Sequence, residues 1–162
     1  MKATKLEITR NEIEIATQTA RLLSKREYLN NKDNITPLSV YWWLSDKGAT
    51  HANALVVTPE ETIMNEAVNN PYVYVRPVIV LPYRRKTFAG GDKFEFAGLT
   101  WTMLRSTGAL LCDTFVGEMP FKNDWRVFDA NYYPKSDVSK WVINWAVDNG
   151  ILDKEGKADD RR

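Results

Sequence analysis

The sequence predicts one mixed α+β domain in which one or two helices pack against a mostly antiparallel sheet. Three observations carry that expectation. Short apolar blocks at 40–44, 54–57, 72–81, 94–104 and 109–112 are rich in β-branched and aromatic residues, and polar turns separate them. Ser24-Lys25-Arg26-Glu27 has the S-x-x-E spacing of a capping box. Val138, Trp141, Val142, Trp145 and Ala146 recur at i, i+3, i+4, i+7 and i+8, the apolar stripe of an amphipathic helix.

Taken in order, Leu6, Ile8, Ile13 and Ile15 alternate with polar residues and predict a short hairpin within 5–17, with a helix over 11–20 as the competing reading. The capping box starts a helix over 25–31, and the polar run Asn30 to Asn34 ends it. The blocks from Val40 onward read as strands. Pro77 has no N–H to donate to a ladder, so it marks a bulge, an edge or a change of strand partner. Residues 82–92 form a basic connector whose Arg84-Arg85-Lys86 cluster reads as a solvated hairpin tip or linker. A meander follows, with a tight turn at Gly98 and another near Thr107-Gly108. Phe115, Phe121, Trp125 and Phe128 then fall in an irregular segment expected to pack against the sheet. Ser136 or Asp137 caps the last helix and Gly150 lies just past it. Residues 1–154 are expected to be one domain and 155–162 a polar tail.

Composition narrows the chemistry. With 162 residues, 44% hydrophobic and 27% charged, the chain has the makings of a core. A formal net charge of +1 supplies no global field toward nucleic acid or an anionic membrane, and neither partner is expected. The opening Met1 to Glu7 lacks the apolar stretch of a signal peptide, and no long apolar window suits a bilayer. The expected setting is the cytoplasm, or a virion that leaves the cell without the general secretory route. Cys112 is the only cysteine and His51 the only histidine, so zinc motifs, an internal disulfide and the usual cysteine-protease signatures are missing. No phosphate-cradling glycine loop occurs; Gly90-Gly91 reads as a turn. No metal or cofactor is expected. One enzymatic alternative survives, a hydrolase in which two of Asp46, Glu60, Asp113 and Asp124 converge within about 5–10 Å in an aromatic cleft.

Two stretches resemble halves of a known domain. Tyr41-Trp42-Trp43-Leu44-Ser45, then Ala54-Leu55-Val56-Val57, then Val75-Arg76-Pro77-Val78-Ile79-Val80-Leu81 is similar to the ending of an uncharacterised domain family of bacterial surface and phage proteins. A like aromatic opening and R-P-V close occurs in C-type-lectin-fold proteins, including the variable proteins of diversity-generating retroelements. Residues 94–104, with Ala109-Leu110-Leu111 and 136–144, resemble the same family's beginning: an F-x-G-x-x-W strand pair, an A-L-L strand and a helix carrying a Trp. The order is reversed here, which implies circular permutation or half-domains exchanged between chains.

The resemblance implies a C-type-lectin-like fold and a non-enzymatic interaction domain of a phage or mobile element. Its partner would be a host-surface or virion protein, or a glycan; the alternative is a virion protein whose function is oligomerisation. The calcium-dependent sugar triplets E-P-N and Q-P-D are missing, and Asn123-Asp124-Trp125 runs in the wrong order for the Trp-Asn-Asp motif. Adjacent Trp42 and Trp43 point to opposite faces of a strand, so one goes inward and the other is a recognition aromatic or is covered. Trp125, Tyr132 and Tyr133 form, with Phe121, either a binding ledge or a seal between helix and sheet. Arg76 takes the position of the family's Arg, with a structural role. Trp101, Trp141 and Trp145 are expected in the core.

Overall fold

Among the described residues, Ser24 and Ser136 each begin an α-helix as their spacing predicts. In the computed structural model, which describes residues 4–5, 20–80, 89–105 and 109–152, α1 spans Lys25–Asn31 and α2 spans Asp137–Asp148. The Ser24 hydroxyl accepts from the Glu27 N–H while the Glu27 carboxylate accepts from the Ser24 N–H. The Ser136 hydroxyl accepts from the Ser139 N–H at 3.0 Å. Each cap satisfies helix N–H groups that have no carbonyl within the helix. Beyond α2, Gly150 takes a φ of +72°, the left-handed conformation that glycine tolerates best.

The strands are β1 (Thr4–Lys5), β2 (Ala20–Arg21), β3 (Trp42–Lys47), β4 (Asn53–Val57), β5 (Ile63–Ala67), β6 (Tyr74–Val75), β7 (Val78–Val80), β8 (Lys93–Phe96), β9 (Leu99–Met103), β10 (Ala109–Cys112) and β11 (Gly117–Glu118). They form two sheets, where one was expected. The first has the order β1-β8-β9-β10-β7-β2 and the second β11-β6-β3-β4-β5. Pairing is antiparallel except for β1 with β8 and β3 with β6. Pro77 separates the sheets: β6, just before it, lies in the second, and β7, just after it, lies in the first. The predicted strand over 72–81 is therefore two short strands, and a change of partner is what Pro77 marks. The turn between β8 and β9 puts Ala97 at φ +53° and Gly98 at φ +74°, the paired positive angles of a tight hairpin turn.

Both sheets draw strands from 20–80 and from 89–152, so the two stretches complete one another within one chain. Side-chain alternation sorts the strands between two apolar cores. Trp43, Ala54, Val56, Leu110 and Cys112 join Trp101, Phe121 and the α2 residues Val138, Val142 and Ala146. Trp42, Leu44, Val57, Ala109 and Leu111 join Tyr28 of α1, Val78 and Leu104. Strands β3, β4 and β10 are thus covered on both sides, which explains their near-continuous hydrophobicity. Strands β5 and β11 lay in stretches read as turn or irregular segment. The expected hairpin within 5–17 or helix over 11–20, the Arg84–Lys86 cluster, the Thr107-Gly108 turn and the tail 155–162 lie outside the described residues, apart from Lys5 at the end of β1 and Ala20 in β2.

Trp141 lies over β11. A Cβ on Gly117 would sit 2.8 Å from two ring carbons of Trp141, closer than packed side chains allow. Gly117→Ala is expected to destabilise the fold by about 1–3 kcal/mol, read from urea denaturation.

Candidate functional site

The adjacent tryptophans do not reach the surface. Trp42 is 1% exposed and Trp43 0%, because β3 is an interior strand with an apolar core on each face. Trp43 Nε1–H donates to the Met119 carbonyl at 2.8 Å, and its ring meets Phe121 edge-on at 5.4 Å. Trp42 meets Tyr28 edge-on at 5.8 Å on the opposite face. Their expected part as binding aromatics is corrected to one as core anchors.

Arg76 lies against Trp42. It is 0% exposed, and its guanidinium carbon stands 4.8 Å from the Trp42 ring centroid, a cation–π distance. Its Nε–H donates to the Cys112 carbonyl at 2.6 Å, whereas its two terminal nitrogens have no hydrogen-bond partner. Burial pulls its pKa down to about 10, against the opposing pull of Asp113, so it remains a cation at neutral pH. The reason for its placement is the neighbouring proline. In the antiparallel register of β7 and β10, Cys112 faces Pro77, and the Cys112 N–H donates to the Pro77 carbonyl at 3.0 Å. Pro77 has no N–H to return the bond. Arg76 Nε–H supplies the missing donor.

The aromatic ledge divides. Tyr133 and Phe121 seal the interior: Phe121 is fully buried, Tyr133 is half-buried against it at 6.1 Å, and the Tyr133 hydroxyl accepts from the Leu22 N–H at 3.1 Å. Burial raises the Tyr133 hydroxyl to about 12. Tyr133 is thereby corrected from a binding residue to a packing one. Trp125 and Tyr132 are 47% and 41% exposed, and Phe128, expected to pack against the sheet, is 92% exposed. All three lie on one segment of successive turns between Phe121 and α2.

That segment is anchored along its length. The Lys122 N–H donates to the Val68 carbonyl at 3.0 Å, and the Asn123 N–H to the Asp137 carboxylate at 2.7 Å. Ala130 is fully buried, and Asn131 Nδ2 donates to the carbonyls of Thr50 and Asn53, both at 3.0 Å. Turn bonds run from Ala130 N–H to Val127 and from Tyr132 N–H to Asp129. The charged residues of the loop pair with one another. Arg126 lies 3.2 Å from Asp124 and Lys135 3.2 Å from Asp129, and these contacts hold both carboxyls below their usual range. Lys47 lies over the Tyr132 ring at 5.5 Å. Trp125 and Phe128 are exposed beside these pairs.

Trp101 is fully buried with its Nε1–H on the Phe96 carbonyl, and it packs against Trp145 at 6.3 Å. Trp141 and Trp145 are partly buried against the core, at its border rather than inside it. The four candidate acids have separate surroundings. Asp46 accepts from the Lys25 N–H at 2.6 Å; Asp113 takes Lys93 at 2.8 Å and the Thr102 hydroxyl; Asp124 takes Arg126; Glu60 is exposed in the turn before β5. His51 is exposed between β3 and β4, and burial pushes the Cys112 thiol up to about 11. Among the described residues no three His, Cys, Asp or Glu side chains gather as a metal site, and no helix is long and apolar enough to cross a membrane. Comparison with family models, curated proteins and solved structures finds no match to this chain.

Two outcomes test this account. Arg76→Met leaves the buried Cys112 carbonyl without a donor and should cost about 1–3 kcal/mol. Adding Pro77→Ala restores an N–H opposite Cys112, so the double variant should recover part of that loss in a urea-denaturation cycle. For Tyr133, the unfolded chain releases the phenolic proton near pH 10 and the folded chain near pH 12. Its stabilisation is complete below pH 10 and falls as pH rises to 12. The stability gap between the native protein and Tyr133→Phe should therefore shrink by about 2 kcal/mol across that window.

Proposed function

We propose that this protein is a non-enzymatic interaction domain of C-type-lectin-like architecture that recognises a protein partner through the loop between Phe121 and α2. The observation that carries the proposal is Phe128, 92% exposed on a loop anchored at Lys122, Asn123 and Asn131. An aromatic side chain held in water on an ordered backbone loses little conformational freedom on binding and gains the full burial of its ring. Trp125 and Tyr132 extend the same surface, and aromatic residues are the commonest anchors of protein interfaces.

The electrostatics favour a protein over a glycan. Sugar recognition needs free hydrogen-bonding groups around the ring that stacks, and here Asp124, Arg126, Asp129 and Lys135 are engaged with one another. The setting implied by the sequence resemblance, a phage or mobile-element protein meeting a host-surface or virion partner, suits such a module. The separate surroundings of the four acids lend the two-carboxylate hydrolase no support.

A random peptide display library panned against the full chain provides the test. Phe128→Ala and Trp125→Ala should each weaken the selected peptides by about thirtyfold, the effect of truncating an interface anchor. Tyr72→Ala, an exposed aromatic elsewhere, should leave them unchanged. Phe128→Ala should shift folding stability by less than about 0.5 kcal/mol, since the ring makes little use of the core. Peptides insensitive to the loop variants, or binding on a glycan array that depends on Trp125 and Tyr132, would overturn the proposal.

A further inference from the structure

Strand β5 ends the second sheet, and among the described residues its outer edge is open over a short and symmetric stretch. In its pairing with β4, Val56 faces Met64 and Ala54 faces Glu66. The flanking bonds, Thr58 N–H to the Thr62 carbonyl and Val68 N–H to the Ala52 carbonyl, fix which residues turn their backbone groups inward. Even-numbered residues of β5 bond to β4, so Ile63, Asn65 and Ala67 direct their N–H and C=O groups outward. Both ends of that row are closed. The Ala67 N–H donates to the Glu66 carboxylate at 3.0 Å, and the Ala67 carbonyl accepts from the Asn70 N–H at 3.1 Å. At the other end Thr62 is held in the turn by the Thr58 hydroxyl, and Glu61 has φ +64°. No described residue pairs with the N–H and C=O groups of Ile63 and Asn65.

We propose that β5 pairs with β5 of a second copy of this chain, antiparallel and about a two-fold axis at Met64. These four groups are self-complementary only in that register. Ile63 of each copy then exchanges two hydrogen bonds with Asn65 of the other, and every open group on the edge is used. Met64, 45% exposed, meets its own counterpart, so the axis is marked by an apolar contact. Charges agree with the register: Glu66 comes opposite Thr62 and Glu61 opposite Ala67, and no like charges face each other. Edge strands that avoid pairing usually carry a Lys or Pro there, and Ile63–Ala67 has neither. The contact is isologous and stops at two copies. It joins the two five-stranded sheets into one and presents two recognition loops, a geometry for bivalent binding.

Sedimentation of the full chain, taken up to about 300 µM, reads the association. The expected mass rises toward twice 18.6 kDa, and Met64→Lys, which places like charges at the axis, returns it to the single-chain value with an unchanged circular dichroism spectrum. In this register the two Met64 Cα atoms form a non-hydrogen-bonded pair about 4.5 Å apart, within disulfide reach. Met64→Cys should therefore cross-link copies under mild oxidation, while Ala67→Cys, displaced by several residues from its own counterpart, should not. A chain that stays single throughout, a dimer that survives Met64→Lys, or equal cross-linking through both cysteines overturns the proposal. The peptide-binding experiment on Phe128 is unaffected by any of these results, so the two readings fail separately.

Discussion

The architecture depends on a hydrogen bond that Pro77 cannot make. An interior ladder position needs a donor, and proline has none, so the Cys112 carbonyl opposite it is met by the Nε–H of the preceding residue, Arg76. The chain leaves one sheet and enters the other at this point. One dipeptide thereby ends a ladder, turns the chain between layers and repairs the resulting vacancy. The guanidinium is held in the interior by the Trp42 ring, and the terminal nitrogens have no hydrogen bond of their own. A buried cation with so few partners is costly, and burial shows in its lowered pKa.

The two sheets create two cores, and that division governs which aromatics are available outside. Adjacent Trp42 and Trp43 on a sheet with one wet face would have left one ring for solvent. Here α1 and its neighbours cover one side and α2 with Phe121 the other, so both rings are spent on packing. Tyr133 is drawn into the same seal by the Leu22 N–H. The most exposed aromatic, Phe128, is on the connection that crosses from β11 to α2, with Trp125 and Tyr132 beside it on the same segment.

Under the proposed reading, stability and recognition are carried by different residues. The interior accounts for Trp101, Trp42, Trp43 and Phe121, and the Phe128 ring lies almost wholly outside it. Substitutions at Phe128 are therefore cheap for the fold, as is typical of residues on loops carried by a rigid scaffold. The open edge of β5 lies on the same sheet as the interior Trp42 and Trp43 strand, so self-association through it would add copies of the loop without rebuilding it.

Much of the local structure was legible in the chain. The Ser24 and Ser136 caps, the stripe from Val138 to Ala146, the Gly98 turn and the alternation along β8 and β9 all follow from short-range rules, because caps, turns and side-chain periodicity depend on residues a few positions apart. That Pro77 interrupts a ladder was likewise readable from what proline lacks, but the choice among bulge, edge and change of partner was not. Strands β5 and β11 were not, since their sequences are ordinary and only their neighbours make them strands. Phe128 and Trp42 were misplaced for a related reason: a hydrophobic residue reports a preference for burial, while the supply of buried places is set by which layers close over which face. By itself the sequence determined the two helices with their caps, most of the strands and the donor that Pro77 withholds, all matters of local covalent geometry. Only the tertiary structure decided that there are two sheets, that both tryptophans of β3 are enclosed and that one loop keeps its aromatics in water, because those outcomes depend on contacts between residues far apart in the chain.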